Sequence, residues 1–512
     1  MEDIQSLPAK RQRLNEKCDI RLSTCDFREI LESDFFVDKT MLIKEVLCDV
    51  KDIIVTASKK FGKSTNLSML KLFLMIEVDE SGERITKSIK EPVRDTKNYQ
   101  LFTNPIPKLP GRKLKISEEI EILNKHLGKY PVIYVDFNCK TVQSLDNVVE
   151  KCKNIIHKTY LEHKYLCNSK KLDVDEKYIC KKWCSKTEYK LTEVVDVSQS
   201  LYYLSKFLFN HFNHKCFVLV DNYDSKSSKF QVENTTYYYI SKVRQWIFEK
   251  LFDGNERIYF SFSTGISSLI KFNDVYPYPS LQGNKFKNFY GLTVDEIMDF
   301  EKRLSFRKGE FENLIKYCNN DEQDRKKIFN IWSFISYVKF RKIKHFWSDS
   351  EIVKNLIDMS KILEIQFCLN TLLSYSDNTT AVDFLEKVCI NQISKVKEML
   401  LNDLANSCIR FNFLLQNNYF AICNINENTR KVIMRISNNQ SRYEIERKLQ
   451  VHYEWIYKLN FYTLDHCFIH WNVINFDVED TIRDNLNKIC KILNIIFKSI
   501  LLLGGNEATF HI

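Results

Sequence analysis

Short apolar segments alternate with amphipathic ones along the first 270 residues or so. Four segments are rich in β-branched and aromatic residues and nearly free of charge, as is typical of strands buried on both faces. They are KDIIVTAS at 51–58, PVIYVDF at 131–137, KCFVLVDNYD at 215–224 and RIYFSFSTGI at 257–266. Apolar residues recur at helical spacing after residue 64, over 145–166 and around 235–252. This alternation predicts an α/β fold with a mainly parallel sheet covered by helices.

The remaining segments set the expected domain organisation. Polar stretches at 77–128 and 167–198 predict an excursion with short helices and an insertion, respectively. From Thr293 to about 405 the pattern is helical, and FLLQNNYFAICNINENTRKVIMRI predicts strands joined by a turn at 424–428. The predicted regions are a disordered basic tail (1–25), a nucleotide-binding domain (26–300), a helical and mixed region (301–450) and a helical tail (451–512).

A phosphate-binding loop is predicted where ASKKFGKS, residues 57–64, connects the first strand to a helix. In such a P-loop, backbone N–H groups and the helix N-terminus surround the phosphates, the lysine reaches the β- and γ-phosphates, and the serine hydroxyl binds Mg²⁺. Ala57 replaces the usual first glycine, and a helix start with a chance GKST is the alternative. ATP and Mg²⁺ are the expected cofactors. The predicted cofactor-binding residues are Lys59, Lys60, Phe61, Gly62, Lys63, Ser64 and Thr65.

The acidic end of the third strand supplies the predicted catalytic residues. Asp221 follows four apolar residues, and ligands of open parallel sheets bind at the carboxyl ends of the strands. We therefore expect Ser64 and Asp221 to bind the metal. Asn222 stands where a glutamate would polarise the attacking water, and an amide cannot accept a proton. Asp224 is a candidate replacement and Thr264 a candidate sensor of the γ-phosphate, whereas an ordinary acidic turn is the alternative.

Several motifs in series resemble the AAA-ATPase-like family of P-loop NTPases. They include FFVDKT (Asp38 and Lys39), FGKS, VLVDNYD, STGI, FYGLTVDEI at 289–297, NIWSFISYV at 330–338, Phe346–Trp347, LLQNNYFAI and MRISNN. The resemblance covers roughly residues 26–450. It implies an ATP-dependent switch whose ATPase domain is often joined to a PD-(D/E)XK nuclease-like domain. Two departures, a loop without its proline and D-N-Y-D in place of D-E-Y-D, predict slow turnover that an Asn222→Glu substitution would raise.

The last residues bear on the nuclease half of that architecture. GGNEATFH at 504–511 resembles the opening of the nuclease-like domain, with Glu507 and His511 as its first polar residues. No carboxylate or lysine follows Glu507 in this sequence. We therefore expect a missing nuclease-like domain and no cleavage of nucleic acid.

The composition of the chain indicates its cellular compartment and limits its expected binding partners. The sequence has 512 residues, 16 cysteines and a net charge of +10. Scattered cysteines and a polar N-terminus without an apolar leader indicate an intracellular protein, cytoplasmic or nuclear, the latter from a weak basic signal at Lys10, Arg11 and Arg13. No membrane span is expected. Nucleic acid and an oligomeric partner stay open, as does a zinc site near Cys180 and Cys184.

The sequence is compatible with three functions. The leading one is a slow ATPase acting as a nucleotide-dependent switch. The alternatives are an interaction module that does not hydrolyse ATP and the remnant of an ATPase–nuclease system acting on nucleic acid. Arg257 and Arg303 are the candidates for an arginine that would stabilise charge on the phosphates.

Overall fold

The fold is known from a computed structural model of the chain. It describes residues 24–48, 52–86, 93–138, 145–224, 235–266, 278–279, 285–303, 309, 311–312, 315, 328–340, 380–383, 419–426, 431–436 and 441–446. Several predictions lie outside these residues: the disordered tail up to residue 23 with its basic signal at Lys10, Arg11 and Arg13, the Phe346–Trp347 motif, and the helical tail (451–512) with Glu507 and His511.

A parallel sheet forms the centre of the N-terminal part. Its strands are β1 (Asp52–Thr56), β2 (Val132–Asp136), β3 (Cys216–Asp221), β4 (Ile258–Gly265) and the two-residue β5 (Tyr278–Pro279), in the order β2-β3-β4-β1-β5. All neighbouring pairs run parallel. The four predicted strands are thus confirmed, and all their carboxyl ends lie at one edge of the sheet.

Helices cover both faces of this sheet. They are α1 (Phe27–Leu31), α2 (Leu42–Leu47), α3 (Lys63–Leu74), α4 (Lys97–Thr103), α5 (Ile120–His126), α6 (Leu145–Glu162), α7 (Val174–Cys184), α8 (Val194–Phe212) and α9 (Thr235–Phe252). Two further helices, α10 (Val294–Arg303) and α11 (Ile331–Phe340), pack against each other in a separate cluster that includes Phe300 and Phe334. Short 3₁₀ helices lie at Lys115–Glu118, Lys164–Asn168, Glu188–Leu191 and Lys287–Phe289.

Alternate residues of the central strands enter two separate cores. On β3, Val218 and Val220 pack with α6, α8 and α9, whereas Phe217 and Leu219 pack with α1, α2 and α3. All six residues of β3 are buried. This burial on both faces explains why the strand sequences are continuously apolar rather than alternating.

The segment 167–198 is part of the core, although its polar composition marked it as an insertion. Helix α7 begins with a capping box in which Asp173 accepts from the Glu176 N–H and the Glu176 carboxylate accepts from the Asp173 N–H. Cys180 and Trp183 on its inner face join the core formed by α6, α8 and the sheet. The segment's few apolar residues are therefore concentrated where they contact the rest of the domain.

A second, antiparallel sheet lies in the C-terminal part. It contains β6 (Thr380–Asp383), β7 (Phe420–Asn426) and β8 (Lys431–Ile436), in the order β6-β8-β7. The antiparallel pair β7–β8 confirms the two strands predicted there, but β7 continues to Asn426, so the turn predicted at 424–428 begins too early. The prediction of helix from Thr293 to about 405 is wrong at β6, which pairs with β8. Among the described residues, no helix is both long and apolar enough to cross a membrane.

Candidate functional site

The loop between β1 and α3 is tied to the sheet at one end and turns into the helix at the other. The Ala57 N–H donates to the Gly265 carbonyl at 3.0 Å. Gly62 caps α3 with φ +88°, a left-handed conformation that favours glycine. The unpaired N–H groups and positive end of α3 therefore face the loop, which makes this edge of the sheet suited to an anion.

The side chain of Lys63 folds back beneath this loop. Its Nζ donates to the carbonyls of Ala57 at 2.7 Å and Ser58 at 2.8 Å, and the residue is 7% exposed. Burial lowers the pKa of Lys63 to about 8, opposed by the negative charges of Asp221 and Asp224. The ammonium group is therefore positioned inside the loop, where its hydrogen-bond partners among the described residues are two neutral carbonyl oxygens.

Asp221 connects the loop helix to two strand ends. Its Oδ2 accepts from the Ser64 hydroxyl at 2.6 Å, and its Oδ1 accepts from the Thr264 hydroxyl at 2.7 Å and from the Asn222 N–H at 2.9 Å. Asp221 itself is 1% exposed. The structure thus brings together Ser64, Asp221 and Thr264, three of the residues selected from the sequence.

Asn222 connects Asp221 to a residue that the sequence analysis missed. Its backbone is left-handed, with φ +55°, and its side-chain Nδ2 donates to Asp136 Oδ1 at 2.8 Å. Asp136 ends β2 and lies in register with Asp221 on β3. A signal existed in the sequence, since VIYVD and FVLVD both place an aspartate directly after a buried strand.

The environment of Asp136 differs from that of Asp221. Its side chain is exposed, and its Oδ1 also accepts from the Asn138 N–H at 2.8 Å. Partial loss of hydration raises the pKa of Asp136, as does the nearby charge of Asp221, whereas the hydrogen bond from Asn222 opposes the shift. Asp136 is therefore an accessible carboxylate at the rim of the site.

Asp224 is buried among protein groups and is not open to water. It is 2% exposed, and its Oδ2 accepts from the Ile266 N–H at 2.8 Å. A Cβ placed on Gly265 would lie 2.6 Å from its Oδ1. Arg244, another residue missed from the sequence, donates to the Tyr223 carbonyl at 3.2 Å. Asp224 thus packs the turns after β3 and β4 against each other.

Residues at the start of α11 cover the outer side of the loop. The Asn330 amide donates to the Lys59 carbonyl at 3.2 Å, and Lys60 Nζ lies 4.0 Å from the centre of the Trp332 ring. Phe61 is 1% exposed, and its carbonyl accepts from the Gly291 N–H at 3.0 Å. Of the predicted cofactor-binding residues, Phe61 therefore anchors the loop, and Lys60 directs its charge to an aromatic ring. Thr65 is partly exposed on α3.

Two sequence motifs meet beside this covering segment. Lys39 Nζ donates to both carboxylate oxygens of Glu296, at 2.6 and 2.7 Å, and to the Asn288 carbonyl at 2.6 Å. Glu296 also accepts from the Thr293 N–H at 2.8 Å. The FFVDKT and FYGLTVDEI motifs are thus two halves of one buried contact.

The two arginine candidates are engaged elsewhere. Arg257 precedes β4 at the opposite edge of the sheet and donates to the Tyr202 hydroxyl at 3.4 Å. Arg303 pairs with Asp299 at 2.6 Å and donates to the carbonyls of Asp34 and Phe36. In the described part of the chain, neither arginine contacts the residues around Asp221.

The zinc alternative finds no support among the described residues. No group of three or more histidine, cysteine or acidic side chains there is arranged to hold a metal ion. The Cys184 thiol instead donates to the Tyr160 carbonyl at 3.5 Å, and Cys180 is 1% exposed. The same finding means that a cation at Asp221 would need ligands besides carboxylates, namely hydroxyl groups, water or a bound anion.

Comparison with known proteins bears on the same part of the chain. A family model described as Predicted AAA-ATPase matches residues 21–103 and 112–275. The matched regions include the loop, Asp136, the turn after β3 and the end of β4. No curated protein matches the sequence.

Proposed function

The N-terminal part of this chain belongs to the predicted AAA-ATPase family, and on that premise we propose that it binds ATP with Mg²⁺ and hydrolyses it slowly. One observation carries the proposal. The buried ammonium of Lys63 and the Ser64–Asp221 pair lie side by side at the start of one helix. The Lys63 ammonium and the oxygens of Ser64 and Asp221 thus lie where the helix N-terminus favours an anion, and such oxygens are the ligands that Mg²⁺ prefers.

The proposed roles follow from the chemistry of each group. Lys63 would exchange its two carbonyl partners for phosphate oxygens, which are stronger acceptors because they are charged. Ser64 and Asp221 would hold Mg²⁺, which prefers oxygen ligands and usually retains waters and phosphate oxygens in its shell. The ion would neutralise charge on the phosphates. Thr264, which donates to Asp221, would sense the terminal phosphate.

Slow turnover is the part of the proposal that depends on Asn222. An amide can orient a water molecule but cannot take its proton. The second candidate function is therefore a module that binds ATP without hydrolysing it. The hydrogen bond from the Asn222 amide to Asp136 favours the hydrolytic form, because it brings a carboxylate beside the residue that lacks one.

Isothermal titration with ATP and a non-hydrolysable analogue tests nucleotide binding. We expect Lys63→Ala to abolish measurable binding, because the variant removes the charge that faces the phosphates. Lys71→Ala is the matched control: Lys71 lies on the same helix about 12 Å further along and pairs with Glu162. Circular dichroism should show that both variants remain folded.

Equal ATP affinity in wild type and Lys63→Ala would contradict the phosphate-loop assignment. Phosphate release at saturating ATP then separates the two functions, since the binding module would release none. Any release should be slower than in an enzyme with a well-placed glutamate base, for which general-base catalysis contributes about 10²–10⁴-fold.

A further inference from the structure

We propose that Asp136 is the proton acceptor for the water that attacks the γ-phosphate, taking the part that Asn222 cannot play. The inference rests on the proposed function and adds one catalytic residue to it. It also assigns Asn222 the task of positioning that water.

The topology brings Asp136 to the reaction edge. Strand β2 is parallel to β3, and Asp136 lies opposite Asp221 in the register of the two strands. Neighbouring strands are about 4.8 Å apart. Asp136 is therefore one strand beyond the residue that contacts Ser64, on the side away from the loop's own strand.

Asn222 joins the two carboxylates. Its N–H donates to Asp221 and its Nδ2 donates to Asp136, so one residue contacts both. The left-handed backbone at Asn222 is one that asparagine tolerates better than most residues. Because Nδ2 is engaged, the side-chain carbonyl remains as an acceptor that can orient a water molecule between Asn222 and Asp136.

One carboxylate oxygen of Asp136, Oδ2, is available to accept a proton. Its Oδ1 accepts from Asn222 and Asn138, and within the described part of the chain no hydrogen bond engages Oδ2. Its side chain is exposed, so water can reach it. Asp224, the other carboxylate near this turn, is 2% exposed and accepts from the Ile266 N–H. Of the two, Asp136 is the one that a water molecule can contact.

The reaction balances without any further reactant. The water oxygen forms a bond to the γ-phosphorus, and the bond between that phosphorus and the β–γ bridging oxygen breaks. One proton of the water passes to the Asp136 carboxylate. ADP leaves with the bridging oxygen, inorganic phosphate forms, and Asp136 later releases its proton to solvent.

Single-turnover phosphate release by the full-length protein, with Mg²⁺ and saturating ATP, tests the inference. We expect Asp136→Asn and Asp136→Ala to lower the rate by about 10²-fold, the lower end of the usual contribution of a general base, because turnover by the wild-type protein is itself slow. The affinity for a non-hydrolysable ATP analogue should stay within about twofold of wild type. Asp196→Asn, which alters an exposed carboxylate on α8, should leave both quantities unchanged.

Chemical rescue distinguishes a proton acceptor from a structural residue. Added formate, a small carboxylate, should restore part of the rate in Asp136→Ala and leave the wild-type rate unchanged. Asp136→Glu should keep more activity than Asp136→Asn. A merely structural role would show no rescue by formate and would lower analogue binding together with the rate.

The outcomes separate this inference from the function on which it rests. No nucleotide binding by the wild-type protein would refute the proposed function itself. Wild-type binding and release, with an unchanged rate in Asp136→Asn, would overturn the role of Asp136 and leave the proposed function standing. Binding without any release would also overturn that role.

Discussion

Asp224 is a catalytic candidate in the sequence, and the fold buries its carboxylate. It stands two residues after the amide that replaces a glutamate, but its side chain is buried and accepts from the Ile266 N–H. Burying an unsatisfied donor costs about 1–3 kcal/mol. The residue therefore contributes to stability through a hydrogen bond that connects the turns after β3 and β4.

We expect Asp224→Ala to lower the free energy of unfolding by about 1–3 kcal/mol, because the Ile266 N–H would lose its acceptor. Asp224→Asn, which keeps an acceptor oxygen of the same size, should cost less and should retain phosphate release. Urea unfolding and a phosphate-release assay measure the two effects. Loss of release in Asp224→Asn at unchanged stability would instead identify Asp224 as the base.

At the residue scale, the sequence predicts the polar groups that end strands or begin the loop helix. Ser64, Asp221 and Thr264 are adjacent in the fold because parallel topology alone brings their strand ends together. The orientations of Lys60 and Phe61 could not be predicted, since they depend on contacts with residues about 230 to 270 positions away. Asp136 was predictable in principle from its position after a buried strand.

At the scale of elements, the contact between Lys39 and Glu296 joins the segment before α2 to the start of α10. Lys39 is 8% exposed, and burial lowers its pKa, whereas the charge of Glu296 opposes that shift. Removing one partner of a buried ion pair typically costs about 3–5 kcal/mol, because the other charge is left uncompensated. Glu296 is partly exposed, so the lower end of that range applies here.

Lys39→Met should therefore lower the free energy of unfolding by about 3 kcal/mol in urea denaturation. Lys44→Met is the matched control, since Lys44 forms an equally short pair with Glu119 at 2.6 Å, but these side chains are 40% and 30% exposed. Exposed pairs contribute little, so the control should differ only slightly from wild type. Equal losses in the two variants would mean that burial does not decide the strength of these pairs.

The order of strands and helices was predictable because each central strand is buried on both faces and has a continuous apolar sequence. The role of 167–198 was not, because only a few apolar residues, including Cys180 and Trp183, carry its packing. Hydrophobic periodicity detects a broad apolar face and misses such sparse contacts. The composition of the two core clusters on either face of the sheet could not be predicted either, because it depends on which helices pack on each face.

At the scale of the whole molecule, buried histidines make stability depend on pH. Burial lowers the pKa of His163 from 6.5 to about 3 and that of His126 to about 4. Between about pH 6.5 and these values the unfolded chain binds more protons than the folded one. Stability contributed by these groups is therefore present above pH 6.5 and is lost as the pH falls.

We expect the free energy of unfolding to fall on acidification from pH 7.5 to 4.5, and His163→Gln to make this fall shallower. One histidine contributes up to about 1.4 kcal/mol per pH unit to the slope of the free energy of unfolding. This limit is reached at a pH where the histidine is protonated only in the unfolded chain. Urea unfolding at several pH values measures both slopes. Identical slopes in variant and wild type would show that His163 is protonated equally in both states.

The segment from Asn330 to Trp332 lies against the loop through the Lys59 carbonyl and the Lys60 ammonium. An anion that rearranges this loop and breaks those contacts must supply their free energy. Anion binding at the loop is then coupled to the position of α11. This coupling is reciprocal. If anion binding changes the affinity of α11 for a partner by some factor, that partner changes the affinity of the loop for the anion by the same factor. A macromolecule that binds α11 and changes its contacts with Lys59 and Lys60 would therefore change the affinity of the loop for an anion.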